Sequence, residues 1–309
     1  MTVLLLTHRD CLAHDMGEGH PECPDRLRAV LRGLDAEEFA DLARDEPGEA
    51  TLEQLTLAHP RDYVEAILGI RPAPGEHVAL DADTIMNAGS ARAALLAAGA
   101  AVRAVDEVCE GKVRRAFCAT RPPGHHAERR RPMGFCLFAN AVIAARHAQA
   151  AHRLQRVAIC DFDVHHGNGT QDCTQDDPSI LFCSSHQMPL YPGTGAAEER
   201  GAGNIHNAPL PPGADGAAFR AAWAERLLPA LEDFGPELIV ISAGFDAHAR
   251  DPLAQLRVGE ADFAWLTAAL CAIADRHAQG RVVSLLEGGY DLPALAASAA
   301  AHVRALLRS

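Results

Sequence analysis

The stretch CDFDVHHGNG, residues 160–169, places two carboxylates and two imidazoles within six positions, directly after the apolar run Val157, Ala158, Ile159 and Cys160. Such a run reads as a strand buried on both faces of a sheet. Polar chemistry gathered where a buried strand ends suits an open parallel sheet, whose ligands bind beyond the carboxyl ends of the strands. If the chain stays extended past Cys160, Asp161, Asp163 and His165 point to one side, with Phe162 and Val164 on the other.

Working outward, similar apolar runs lie at residues 3–6, 116–119, 180–183, 238–242 and 282–286. Helical spacing fills the intervals, most clearly after Ser90, where Ala91, Ala94, Leu95, Ala98, Ala101, Val102, Val105 and Val108 recur until Gly111. Further helices are expected at 25–34, 138–152, 217–232, 260–279 and 292–307, and surface loops at the Pro- and Gly-rich stretches 71–75 and 209–216. Strand and helix alternate from end to end. The expected fold is therefore α/β, a single three-layer domain over residues 1–309 with a central, mostly parallel sheet flanked by helices.

The segments after the six runs carry nearly all the distinctive chemistry: THRD, RPPGHHAE, DFDVHHGNG, SSHQMPLYPGTG, AGFDAH and EGGYD. Asp163 and His165, with Asp246 from another strand end, form a candidate set of three metal ligands with one position left open for water or substrate, as in catalytic zinc sites. An Asp-x-His pair alone is more often a hydrogen-bonded loop. Several such groups buried together are not, because without a metal or mutual pairing their burial costs roughly several kcal/mol.

Composition narrows the functional classes. The chain has 309 residues, a formal charge of −13 and a single lysine, Lys112, which argues against a broad nucleic-acid-binding surface. Nine cysteines, an odd number with no C-x-x-C pair, point to buried thiols in a reducing compartment. The opening MTVLLLTHRD is too short an apolar run for a signal peptide, and no segment approaches the length of a membrane span. A cytoplasmic enzyme without membrane or nucleic-acid partners is expected; oligomeric state is left open.

RPPGHHA (121–127), GFC (134–136), DFDVHHGNG (161–169), YPGTG (191–195), SAGFDAH (242–248) and EGGYD (287–291), with HPECPDRL (20–27), together resemble the histone deacetylase superfamily over essentially the whole chain. RPPGHHA and EGGY are closer to its class II branch and bacterial relatives, the histone deacetylase-like and acetylpolyamine amidohydrolases. The resemblance implies the arginase/deacetylase fold and the hydrolysis of an acyl amide. It implies Asp163, His165 and Asp246 as zinc ligands, His125 and His126 as the active-site histidine pair, and Tyr290 as the catalytic tyrosine. Asp161 would orient His125. Asn168 stands where some relatives carry a second Asp, leaving His126 without a full carboxylate partner.

Phe135 and Tyr191, with Gly134, Gly289 and Leu253, would form the channel for an acyl-lysine stem. Asp161, Ser184 and Ser185, with the zinc ligands Asp163 and His165, would hold a structural potassium ion, partly through backbone carbonyls. The substrate expected is an acylated lysine peptide or protein, or an acetylated polyamine. Leu253 argues for a neutral rim, while Asp81 and Asp83 leave the rim's charge open. The glycine-rich stretch after Tyr191 lacks the G-x-x-x-x-G-K-[ST] pattern and reads as a loop. Cys136 reads as a packed thiol. Arginase-like ureohydrolases fit less well, because His248 stands where a second bridging Asp is wanted. A catalytically inactive acyl-binding module fits less well too, since no ligand and no tyrosine is missing. Fe(II) would accept the same donors as zinc.

Overall fold

The computed structural model describes residues 2–309. Its strands are β1 (Val3–Leu6), β2 (Ala43–Asp45), β3 (Val78–Ala79), β4 (Ile85–Met86), β5 (Arg115–Cys118), β6 (Val157–Asp161), β7 (Ile180–Gln187), β8 (Ile205–Leu210), β9 (Leu238–Ala243) and β10 (Val282–Leu286). Eight form one sheet in the order β2-β1-β5-β10-β9-β6-β7-β8, while β3 and β4 make a separate antiparallel pair. Every pairing in the large sheet is parallel.

Alternation along each strand builds the three layers. On β6, Val157 and Ile159 join the core on one face, with the helices Ser90–Cys109 and Asn140–His152. Ala158 and Cys160 join the other, with Glu260–His277, Leu292–Arg308 and Pro24–Gly33. Both faces are covered, which is why the strand sequences are apolar throughout.

The two edges depart from that pattern. β2 is a three-residue strand with two exposed positions, and β8 reads IHNAPL. Neither carries a continuous apolar run, because an edge strand buries less of itself. Pro209 lies inside β8, so the stretch read as a loop from 209 begins as a strand; an edge tolerates the missing N–H. Short helices at Leu52–Leu55, Arg61–Gly69 and Asn168–Thr174 also went unforeseen. The helix expected over 217–232 contains a wide π turn at Trp223–Leu227 just before Pro229, whose ring cannot follow a regular turn.

A buried ion cluster ties the N-terminal segment to the sheet. Glu22 accepts from Arg26 Nη1 at 3.0 Å and from two nitrogens of Arg121, and all three side chains are fully buried. Arg121 also donates to the carbonyls of Cys11 and His14, and Arg26 to that of Gly289 at 2.7 Å. Replacing Glu22 by Ala leaves two guanidinium groups buried without a counter-charge. Glu22→Ala is expected to destabilise the fold by about 3–5 kcal/mol, read as a lowered denaturation midpoint.

Candidate active site

The four central strands β5, β10, β9 and β6 deliver their following loops to one end of the sheet. The chain does not stay extended beyond β6. Its strand ends at Asp161, and residues 163–165 bend. The bend is made by the carboxylates themselves: Asp163 N donates to Asp161 Oδ1 at 3.1 Å, and His165 N to Asp163 Oδ1 at 2.9 Å. Each Asp caps an amide two residues on, a turn that Asx side chains favour. The expected sidedness survives, since Phe162 and Val164 are buried in the apolar core.

Asp163, His165 and Asp246 converge, with one donor atom from each lying within 4.8 Å of the others. His165 Nδ1 is 3.1 Å from both Asp163 Oδ1 and Asp246 Oδ2. Backbone amides lock the carboxylates in place: Gly288 N donates to Asp163 Oδ2 at 2.8 Å and Val164 N to Asp246 Oδ1 at 2.9 Å. Gly288 and Gly244 leave the space. A Cβ at Gly288 would stand 2.1 Å from Asp246 Oδ2, and one at Gly244 would stand 2.1 Å from Asp163 Oδ2. Burial disfavours a charged imidazole here, yet the two carboxylates push His165 up to about 10. A site so demanding of positive charge, with one imidazole and two carboxylate donors, fits a divalent cation such as zinc.

His125 and His126 follow β5, their ring centroids 3.9 Å apart. His125 Nδ1 lies 3.0 Å from Asp161 Oδ2, and His126 Nδ1 lies 2.7 Å from Asn168 Oδ1, at the first turn of the helix Asn168–Thr174. Their environments drive them apart. Burial opposes charge on His125, but Asp163 and Asp161 overcome it and hold the imidazole well above its ordinary range. Burial and the neighbouring His125 and His165 hold His126 well below it. The two rings are thus pushed in opposite directions, a divergence typical of acid–base sites.

Above these groups opens a pocket of about 220 Å³ lined by Gly134, Phe135, Tyr191, Leu253 and Tyr290, with Leu190 and Asp83. Phe135 and Tyr290 meet edge to face at 5.9 Å, and Tyr191 stands edge-on to His126 at 5.2 Å. Gly134 and Phe135 both have positive φ, 54° and 71°, and a Cβ at Gly134 would lie 2.5 Å from His126 Cδ2. Tyr290 follows Gly289, whose φ of 126° is open to glycine. The Tyr290 amide donates to Asp251 Oδ2 at 2.7 Å, and Arg26 lies 4.8 Å over the ring. Burial pushes its hydroxyl well above the ordinary value, against the pull of Arg26.

Some expected residues stand elsewhere. Gly289 does not line the pocket; its carbonyl accepts from Arg26. Ser184 and Ser185 lie within β7 rather than at its end. Ser184 pairs in register with Asp161, but its hydroxyl bonds to His186 Nδ1, and that of Ser185 accepts from Trp223 Nε1 at 2.9 Å. His186 Nε2 faces the Gly195 carbonyl, so the Ser184 hydroxyl donates to Nδ1 and keeps its oxygen lone pairs. Cys136 is fully buried, and burial pushes its thiol well up.

Glu287 opens the EGGYD motif. It is buried beneath the histidine pair, where Oε2 accepts from Gly124 N at 2.7 Å and His125 N at 3.2 Å, and Oε1 from Ser242 Oγ at 3.0 Å. Asp251 holds both Tyr290 and the rim residue Leu253 through their amides. The only signal for either was position just beyond a buried strand or within a motif.

Residues 20–306 match the family model of the histone deacetylase domain. A histone deacetylase-like amidohydrolase of Pseudomonas aeruginosa is 41% identical over 88% of this chain and 73% of its own. The chloroplastic histone deacetylase 14 of Arabidopsis thaliana is 40% identical over 94% of this chain and 73% of its own. Among solved structures, the crystal structure of the HDA15 HD domain superposes with a TM-score of 0.93 at 36% identity, covering 99% of this chain and 88% of that one. Removal of Glu287 tests the scaffold under the histidines. Glu287→Ala is expected to cost about 3 kcal/mol or more, since it strands two buried amides at about 1–3 kcal/mol each, measured by thermal or urea unfolding.

Proposed function

Because the chain belongs to the histone deacetylase family, a family of deacetylases and amidohydrolases, we propose that it is a zinc-dependent amidohydrolase. It removes acetyl or other acyl groups from Nε-acyl-lysine or a similar primary-amine amide, and residues 1–309 form one catalytic domain. The observation that carries this reading is the convergence of Asp163, His165 and Asp246 beside a pocket lined by His126, Phe135, Tyr191 and Tyr290.

Held by Asp163, His165 and Asp246, zinc would supply Lewis-acid polarisation of the acyl carbonyl and acidify the attacking water. The chain's own groups do the rest. Phe135 and Tyr191 flank a thin aliphatic stem and exclude water from it. Neutral His126 takes the proton of the attacking water at Nε2 and returns it to the leaving amine nitrogen. His125, oriented by Asp161, gives electrostatic support to the negative charge that builds up on the acyl group. Tyr290 donates its hydroxyl to the developing oxyanion. A structural potassium ion, held partly through backbone carbonyls of Asp161, Asp163, His165, Ser184 and Ser185, belongs to the same proposal and takes no part in the chemistry.

A second reading, an acetylpolyamine or small acylated-metabolite deacetylase, is favoured by Asp83, a carboxylate in the pocket lining suited to a distal ammonium. Asp81, by contrast, is paired with Arg131 at 3.2 Å. No helix among the described residues is long and apolar enough to cross a membrane. A reducing, cytoplasmic setting belongs to the same proposal and is supported by nine unpaired cysteines.

Elemental analysis joined to turnover of acetyl-lysine peptide and acetylspermidine, before and after chelation, tests the proposal. The expected result is one catalytic zinc per chain and acetate release that stops on chelation and returns with zinc; chelator-insensitive turnover would sink it. Tyr290→Phe is expected to fold and to retain zinc while losing on the order of 100-fold to 1,000-fold in kcat.

A further inference from the structure

Asn168 is an ambiguous partner for a histidine. Its amide can accept through oxygen or donate through nitrogen, and the two orientations impose opposite tautomers on the imidazole. Its surroundings remove the ambiguity. Asn168 Nδ2 donates to Glu128 Oε1 at 2.7 Å and lies 3.3 Å from Met133 Sδ. A carboxylate and a thioether only accept hydrogen bonds. The nitrogen end of the amide is thereby held toward Glu128, and Oδ1 is turned to His126 Nδ1 at 2.7 Å. An oxygen there requires a proton on Nδ1, which leaves the lone pair on Nε2. Gly134 packs against the ring's Cγ–Cδ2 edge, where a Cβ would lie 2.5 Å from Cδ2.

We propose that Glu128 is a positioning residue: through the amide of Asn168 it selects the tautomer in which His126 presents an unprotonated Nε2 to the acyl pocket. Glu128 touches neither the pocket nor the ring. It lies in a polar recess with Asp172, Gln175 and Thr194, on the far side of Asn168. It also sets a carboxylate one amide further from His126 than a directly bonded Asp would. The inference rests on the reading of His126 as the base that takes the water's proton.

Four variants of the metal-loaded enzyme test it: Glu128→Ala, Glu128→Gln, Asn168→Asp and the exchange Glu128→Gln with Asn168→Asp. Glu128→Ala is expected to lower kcat on the order of 10-fold to 100-fold, as loss of an outer orienting partner does, with KM little changed. Glu128→Gln is expected to lower kcat as well, because its amide can turn either end to Asn168. Asn168→Asp alone sets two carboxylates face to face and is expected to lose activity too. In the double exchange, the amide introduced at position 128 donates to the carboxylate introduced at position 168, which accepts from His126 Nδ1 as the wild-type oxygen does. Its kcat is expected to recover to within about threefold of wild type, a strong departure from additivity.

A purely structural role for Glu128 predicts losses that add and no recovery. Nitrogen-15 spectra of histidine-labelled protein give a readout independent of turnover. Wild type should show His126 protonated at Nδ1, and Glu128→Ala should show a growing Nε2–H form. An unchanged tautomer in Glu128→Ala, turnover within about twofold of wild type, or a double variant no better than its parents overturns the proposal. A His126→Ala control separates the two readings, because retained turnover there removes His126 as the base whatever its tautomer.

Discussion

Four carboxylates, Asp161, Asp163, Asp246 and Glu287, are buried at one end of a parallel sheet, and the surrounding structure is organised around their charge. Burial alone would make each a liability of several kcal/mol. The chain answers with backbone amides that donate to all four and with imidazoles set against three of them. Burial still pushes Asp161 up to about 6 and Glu287 to about 7. A centre in that condition draws cations, and the proposed zinc is the partner that its donor atoms suit.

The same charge distribution sorts the two histidines. His125 faces Asp161 and Asp163, which push its imidazole up; His126 faces an amide and two other imidazoles, and burial with those imidazoles pushes it down. Adjacent residues with one backbone path are shifted in opposite directions by what lies around each ring. The glycines around them serve this crowding. Gly134, Gly244 and Gly288 sit where any Cβ would collide with His126, Asp163 or Asp246. A close-packed centre therefore depends on positions that contribute no side chain at all.

Much of this was legible before any coordinates. The six central strands were visible because strands covered on both faces must be apolar throughout, and the loops after them carried the recognisable motifs. The edge strands were not visible: Ala43–Asp45 is short and solvent-facing, and Ile205–Leu210 carries Asn207 and Pro209. Asn168 was noted as the weaker partner of His126, but Glu128 behind it carried no signal. Its importance comes from a contact across 40 residues. The resemblance groups Ser184 and Ser185 with Asp161; strand register sets Ser184 opposite Asp161, and the hydroxyls meet His186 and Trp223.

Residue type and alternation, which act over a few positions, determined the layer architecture, the central strands and the chemistry at their ends, because burial on a sheet or helix face is written locally. Tertiary structure decided the turn after Asp161, the meeting of Asp163 with Asp246 and Gly288, and the support from Glu128, Asp251 and Glu287. Those outcomes depend on strand register and on how closely loops distant in the chain approach. Spacing along a sequence does not encode either distance, since both are set by the packing of the whole sheet.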